Sequence, residues 1–168
     1  MAPPLQIADA VAREKSIEKE IVIEAIDRTR KGDFSIRGLK GFDLHGKVLG
    51  VIGTGSIGMC VIRIARGFSM EVNAFDVKPR EELAERMGFS YLPMDEVLRR
   101  ADIVTLHVPS NEKTRNLIST EQFNLMKDGA ILINTSRGPI VEVEALLKAL
   151  AGGKISAAGL DVLSEEPL

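Results

Sequence analysis

The chain has 168 residues, of which 45% are hydrophobic and 27% are charged, a composition typical of a soluble globular protein with one domain. Its 22 basic and 24 acidic residues give a formal net charge of -2, which provides no electrostatic support for a nucleic acid or an anionic membrane surface as partner. One cysteine excludes an intrachain disulfide and, with two histidines, disfavours a structural zinc site. No apolar run approaches the roughly 20 residues of a membrane span. Because the first residues also lack a secretory signal, we expect a cytoplasmic protein.

Residues 1–33 form a charged segment with a helical pattern. Ser16 can cap a helix from Ile17 to about Arg30, in which apolar side chains recur at spacings of four and five. Gly32 can terminate this helix. We interpret it as a surface helix packed on the domain, because charges cover so much of it. A dimer contact is the alternative interpretation.

From Gly46 onward, short apolar runs alternate with amphipathic stretches. The apolar runs predict strands at residues 47–52, 71–75, 89–92, 103–106, 130–134 and 155–160. The stretches between them predict helices at residues 57–68, 79–87, 95–100, 119–126 and 141–151. Strands that are apolar on both faces are expected where helices cover both sides of a parallel sheet. The alternation therefore predicts an α/β domain of the Rossmann type, with a doubly wound parallel sheet.

Two of these helices show further detail in their sequences. The helix at 57–68 has an apolar stripe on one side, formed by Ile57, Val61, Ile64 and Phe68. The helix at 119–126 begins with Ser119 and ends its first turn with Gln122, the pattern of a capping box.

The sequence Gly53-Thr-Gly55-Ser-Ile-Gly58 directly follows the first predicted strand and opens the first predicted helix after it. This position distinguishes a dinucleotide-binding G-x-G-x-x-G from an ordinary glycine turn. Gly53 makes the tight turn, Gly55 lets a pyrophosphate approach the backbone, and Gly58 lets the helix pack close to the strand. The pyrophosphate would lie on the N–H groups at the helix N-terminus. A glycine turn without a ligand is the alternative.

Asp76 ends the second predicted strand, 18 residues after Gly58. A carboxylate at this position can accept hydrogen bonds from an adenosine ribose, and its charge repels a 2′-phosphate. The cofactor that we predict is therefore NAD and not NADP, although the nearby Lys78 and Arg80 oppose this preference. An ordinary turn residue is the alternative for Asp76.

Four segments of the chain carry a family resemblance: 38–47 running into 53–58, then 102–109, 132–138 and 159–167. With these segments the chain resembles the nucleotide-binding domain of the D-isomer-specific 2-hydroxyacid dehydrogenases over residues 34–168. The stretch before Gly53 is most similar to the D-lactate dehydrogenase branch. Glyoxylate reductases, phosphoglycerate dehydrogenases and formate dehydrogenases share the other segments.

The resemblance implies two catalytic roles. Arg137 matches the arginine that binds the carboxylate and carbonyl of the substrate, a task suited to a planar guanidinium that stays charged. It also follows a predicted strand, where open α/β folds bind ligands. Glu166 matches the glutamate that orients a catalytic histidine and tunes its pKa.

The resemblance also implies contacts with the cofactor. Asp161 matches an aspartate that hydrogen-bonds the nicotinamide amide, and Thr114 a threonine that closes on the dinucleotide. Thr135 and Arg137 match residues that border the nicotinamide. Further residues that match contacts of the cofactor are Ser56 and Ile57 at the diphosphate and His107, Val108 and Pro109 in the wall around the adenosine.

The chain departs from the family's pattern in two respects. Neither of its histidines, His45 and His107, matches the catalytic histidine, which lies further toward the C-terminus in the family. Only 33 residues precede the matching region, where the family has a separate substrate domain. We therefore expect a single NAD-binding domain at residues 34–168, with the substrate domain largely absent.

These observations lead to a functional hypothesis with two alternatives. The full enzyme is expected to be an NAD-dependent oxidoreductase that reduces a small-molecule 2-keto acid, such as pyruvate, and this chain alone to bind NAD(H) with little or no activity. A homodimer is left open as a partner arrangement. The N-terminal helix argues against it, because this helix is unusually charged for a dimer contact. The alternatives are an NAD-responsive regulatory module and one part of an enzyme completed in trans.

Overall fold

The structure is a computed structural model and describes residue 31 and residues 41–163. The chain divides into two compact units between Asp43 and Leu44, and the second unit contains the strands and helices given below. The helix predicted at residues 17–30 and the domain boundary predicted after residue 33 lie outside the described residues. Across residues 41–163, no helix combines the length and the apolar character that crossing a membrane requires.

The described residues form one sheet of six strands: β1 (Val48–Ile52), β2 (Glu71–Phe75), β3 (Ser90–Tyr91), β4 (Ile103–Leu106), β5 (Ala130–Asn134) and β6 (Ile155–Leu160). The strand order is β3-β2-β1-β4-β5-β6, and all neighbours are parallel. The direction of winding reverses between β1 and β4, which is the switch point of a doubly wound sheet. The predicted fold class is therefore confirmed.

Five α-helices connect these strands: α1 (Ser56–Gly67), α2 (Glu81–Met87), α3 (Met94–Arg100), α4 (Thr120–Leu125) and α5 (Val143–Ala151). They pack on the two faces of the sheet in separate cores. Val51 of β1 belongs to the core that includes Ile62 of α1, whereas the adjacent Ile52 belongs to the core that includes Val97 of α3. Both faces of β1 are therefore buried, which explains its continuously apolar sequence.

The predicted bounds of the elements are close to the observed ones, and the differences have local causes. The strand predicted at 89–92 pairs with β2 over only two residues, Ser90 and Tyr91. The helix predicted at 141–151 begins at Val143, because Val141 forms a parallel bridge with Ile118 after a 3₁₀ turn. The predicted capping box of α4 is confirmed, since Gln122 Oε1 accepts a hydrogen bond from the Ser119 N–H at 3.2 Å.

Three of the four residues in the apolar stripe of α1 lie on the outer side of the helix, while Val61 is partly buried against the core. Ile57, Ile64 and Phe68 are 68%, 60% and 55% exposed. The buried residues of α1 are instead Gly58, Ile62 and Ala65. A Cβ atom on Gly58 would lie 2.1 Å from the Gly53 carbonyl oxygen, so this glycine brings the helix against the loop and fixes which side faces the sheet.

Candidate cofactor and substrate site

The carboxyl ends of the parallel strands meet at one edge of the sheet, and five predicted site residues directly follow them. Gly53 follows β1 and Asp76 follows β2, while His107, Thr135 and Asp161 follow β4, β5 and β6. Open α/β sheets bind their ligands outside this edge, beside the switch point. The fold therefore brings these five residues to the edge where a dinucleotide would bind.

Two glycines of the loop after β1 occupy positions that no other residue fits. Gly53 has a φ angle of 97°, and a Cβ atom there would lie 2.5 Å from the His107 carbonyl oxygen. Gly58 meets the Gly53 carbonyl oxygen in the same way, as described above. The glycine loop is therefore packed closely between α1 and the end of β4.

Gly55 is different, because a Cβ atom there would meet nothing within 4 Å. Gly55 is the N-cap residue of α1, and the first N–H groups of a helix have no partner within the helix. The exposed Ser56 and Ile57 supply the first of these N–H groups. Open space beside free amides at a positive helix end fits a diphosphate.

The Asp76 carboxylate is held by three hydrogen bonds from the chain. Its Oδ2 accepts from the Thr54 N–H at 2.7 Å and from the Thr54 hydroxyl at 3.0 Å, and its Oδ1 accepts from the Lys78 N–H at 2.9 Å. Burial alone would raise the pKa of Asp76. The bonds from Thr54 and Lys78, together with the charge of Arg80, outweigh burial and lower the pKa below its usual 3.8. Asp76 is therefore ionised at neutral pH.

Asp76 and the glycine loop line a cleft of about 990 Å³. Four cationic side chains line the same cleft: Arg63, Arg66, Lys78 and Arg80. Two of them are directed to backbone carbonyls, since Arg66 donates to the Met70 oxygen at 2.9 Å and Arg80 donates to the Thr54 oxygen. A cleft with one ionised carboxylate and several cations fits an adenosine ribose with an adjacent diphosphate.

A second cavity, of about 380 Å³, lies where β1, β4 and β5 end. Its lining includes most of the remaining predicted residues: Ile57, His107, Val108, Pro109, Thr135 and Arg137. The residues expected in the adenosine wall thus line the same cavity as Arg137, while Asp76 lines the other one.

Arg137 is exposed and lies in the turn that follows β5. Asn134, which is 1% exposed, holds this turn from below. Its Oδ1 accepts from the N–H and hydroxyl of Ser136 at 3.1 and 2.9 Å, and its Nδ2 donates to the Arg137 carbonyl at 3.0 Å. The guanidinium donates to the Ser136 carbonyl at 2.6 Å. The buried amide thereby fixes the backbone from which Arg137 extends.

His107 is half-buried in the second cavity. Its Nε2 lies 3.0 Å from the Thr105 hydroxyl, and burial lowers its pKa below the usual 6.5. The ring is therefore neutral at pH 7 and presents an uncharged wall beside Arg137.

The remaining predicted residues differ in their positions. The Thr114 hydroxyl closes the loop after β4, since it donates to the Pro109 carbonyl at 2.6 Å and accepts from the Asn111 N–H at 2.8 Å. Asp161 is exposed, and its N–H donates to the Asn134 carbonyl at 3.1 Å. Glu166 lies outside the described residues.

Sequence reasoning missed Thr54, Tyr91 and Asn134. Thr54 occupies a variable position of the glycine pattern, and its bond to Tyr91 joins residues 37 apart in the chain. Asn134 is detectable in principle, because a polar residue at the end of a buried strand needs hydrogen-bond partners.

The strand order, the glycine loop against α1 and the carboxylate after β2 together define a dinucleotide-binding domain of the Rossmann class. The chain matches the family described as D-isomer specific 2-hydroxyacid dehydrogenase, NAD binding domain, over residues 19–168. It therefore belongs to this family, as predicted, and its cofactor is NAD.

Curated relatives of known name cover most of the chain. A glyoxylate reductase from Korarchaeum cryptofilum is 42% identical over 151 residues, which are 88% of this chain and 46% of the relative. The D-lactate dehydrogenase of Escherichia coli is 39% identical over 142 residues, 84% of this chain and 43% of the relative. The chain spans less than half of the length of these relatives.

Solved structures give the same result. A structure described as the pyruvate reductase of Chlamydomonas reinhardtii matches with a TM-score of 0.77 and 40% identity. The match covers 99% of this chain and 49% of the chain in that structure. The D-lactate dehydrogenase of Lactobacillus jensenii, solved with NAD+, has a TM-score of 0.74 and 36% identity, covering 98% of this chain and 49% of its own.

Proposed function

We propose that this chain is the cofactor half of an enzyme that reduces a small 2-keto acid with NADH, as a D-lactate dehydrogenase does. The observation that carries the proposal is the placement of Arg137 beside Thr135 and His107, in a cavity that adjoins the glycine loop. A cation at this edge, next to the nicotinamide end of a bound dinucleotide, suits a carboxylate substrate.

Arg137 binds the substrate carboxylate in this proposal. Its planar fork can donate two parallel hydrogen bonds, which fixes the orientation of the keto group. Asn134 holds the turn that carries it. When bound, NADH supplies the hydride that the substrate carbon accepts. The substrate oxygen also needs a proton, which in the full enzyme of this proposal would come from a histidine supported by Glu166.

The chain by itself binds NAD(H) in this proposal but turns over little or no keto acid. His107 is a poor proton donor at pH 7, because burial lowers its pKa and its Nε2 contacts Thr105. His45, the other histidine, does not match the family's catalytic position. Loss of general acid–base help typically lowers a rate by about 10²–10⁴-fold.

The test is calorimetric titration of the purified chain with NADH, followed in the same sample by pyruvate or glyoxylate, while absorbance at the nicotinamide band is recorded. We expect binding without oxidation of NADH. Steady oxidation would contradict the inactivity of the isolated chain, and absence of binding would contradict the cofactor role. Ser156→Ala is a matched control, since its hydroxyl contacts Gly129 at the opposite edge of the sheet.

A further inference from the structure

Three hydroxyl and carboxylate groups from separate elements form a hydrogen-bonded chain beneath the cofactor cleft. The Thr54 hydroxyl lies 3.0 Å from Asp76 Oδ2 and 2.8 Å from the Tyr91 hydroxyl. Asp76 is ionised, so it only accepts, and Thr54 must donate its single proton to it. Tyr91 must then donate to Thr54. The direction of hydrogen-bond donation is therefore fixed, from Tyr91 through Thr54 to Asp76.

This series of hydrogen bonds leaves Asp76 with one defined acceptor position unfilled. An ionised carboxylate has about four acceptor positions. Two on Oδ2 are filled by Thr54 and one on Oδ1 by Lys78. The position that remains on Oδ1 is the one that a ribose hydroxyl can use. Its direction depends on how Thr54 holds the other oxygen.

The charges around the cleft do not by themselves favour NADH. Arg63, Arg66, Lys78 and Arg80 line the same cleft as Asp76, and cations attract the additional 2′-phosphate of NADPH. A preference for NADH must therefore come from the carboxylate, which bonds a ribose hydroxyl and repels a phosphate when it is correctly placed.

We propose that Tyr91 and Thr54 are positioning residues that hold the Asp76 carboxylate toward the adenosine ribose and so set the preference for NADH over NADPH. This inference rests on the proposed NADH-dependent function. Neither residue contacts the reacting atoms. Both act on cofactor choice through Asp76.

Tyr91 can be altered without loss of its packing. Its ring makes an edge-to-face contact with Phe89, with 5.1 Å between the ring centres, and Tyr91 pairs with Ala74 in the sheet. Tyr91→Phe keeps the ring and the strand and removes only the hydroxyl. A folded variant is therefore expected.

The experiment measures the dissociation constants of NADH and NADPH for the unaltered chain and for Tyr91→Phe, Thr54→Val and the control Ser156→Ala. Because one net hydrogen bond is worth about two- to tenfold in affinity, we expect each site variant to weaken NADH by about that factor. NADPH binding should stay constant or strengthen. The NADH preference should therefore fall in both site variants and stay unchanged in the control.

A merely structural role would weaken both cofactors equally, so an unchanged ratio of the two dissociation constants overturns the inference. An unaltered chain that prefers NADPH overturns it as well. If that chain binds neither cofactor, the proposed function fails together with the inference, whereas NADH binding with an unchanged ratio overturns the inference alone.

Emission from Tyr91 gives a second readout, because the chain has one tyrosine and no tryptophan. NADH should change this emission in the unaltered chain and in the control, since three hydrogen bonds, through Thr54 and Asp76, link Tyr91 to the ribose. In Thr54→Val the link is broken, and we expect a smaller change at saturating NADH. An equal change in both proteins would contradict the coupling.

Discussion

The two cavities of the site are built in different ways. In the cleft around Asp76, side-chain hydrogen bonds join residues far apart in sequence: Thr54 to Asp76 across 22 residues, and Thr54 to Tyr91 across 37. In the cavity around Arg137 they join near neighbours, such as Asn134 to Ser136 and Thr105 to His107. The cleft around Asp76 therefore depends on assembly of the whole sheet, whereas the cavity around Arg137 depends on local turns.

The largest expected effect comes from closing the space in the glycine loop. In Gly58→Ala the new Cβ would lie 2.1 Å from the Gly53 carbonyl, so the loop must shift. We expect a loss of about 1–3 kcal/mol in the free energy of unfolding. NADH binding should fall below detection. Thermal denaturation and calorimetry measure the two effects.

Gly55→Ala is the matched control for this change. Its Cβ would meet nothing within 4 Å, so stability should be nearly unchanged, while the new methyl group enters the space assigned to the diphosphate. A Gly55→Ala chain that binds NADH at full strength would refute this assignment.

The next effect tests the local half of the comparison. Asn134→Ala removes three hydrogen bonds from one turn and leaves the Ser136 N–H and the Arg137 carbonyl without this partner. We expect about 1–3 kcal/mol of lost stability from chemical denaturation. Because the hydrogen bonds that hold Asp76 do not involve this turn, AMP affinity should be unchanged. Asn134→Asp keeps the acceptor oxygen and should restore part of the stability. If Asn134→Ala lost AMP affinity together with stability, the two cavities would not be independent.

Arg137→Met should have a smaller effect, confined to substrate binding. The side chain is exposed, so stability and NADH affinity should stay nearly constant. Pyruvate affinity in the presence of saturating NADH should fall about tenfold or more, as expected for loss of a charged hydrogen-bonding partner. Calorimetry measures this pyruvate affinity. Arg137→Lys should restore the charge but not the bidentate hydrogen-bond geometry. Unchanged pyruvate affinity in Arg137→Met would remove Arg137 from the substrate site.

The smallest expected effect is the pH dependence caused by His107. Since burial lowers its pKa below 6.5, the unfolded chain binds this proton at higher pH than the folded chain. Stability should therefore be full above pH 6.5 and fall as the pH decreases from 6.5 through the folded pKa. Thermal denaturation between about pH 7.5 and about pH 5.5 should show a flatter profile for His107→Gln. The contribution of Asp76, whose pKa is lowered, is present above pH 3.8 and is lost only as the pH falls through its folded pKa, outside this range. An identical decline in both proteins would exclude this ring as the cause.

The same comparison explains how much the sequence predicts. Apolar runs are recognisable because parallel strands bury both faces, and the glycine pattern is recognisable because its steric demands are local. The residues that couple distant elements are not. Tyr91 has no signature in the chain, since its role exists only once β3 lies beside β2. The outward stripe of α1 has a related cause, because the close contact at Gly58 decides which side of the helix faces the sheet.

The contact between Gly53 and the end of β4 has a consequence for folding. The turn at Gly53 is shaped by the His107 carbonyl, yet β4, which pairs with β1, follows β2 and β3 in the chain. Such non-local pairing forms slowly, because loop-closure entropy opposes it. We therefore expect the glycine loop to take its binding shape only once β4 has paired with β1. A ligand that binds only the folded state stabilises it by mass action, so bound cofactor should raise the free energy of unfolding.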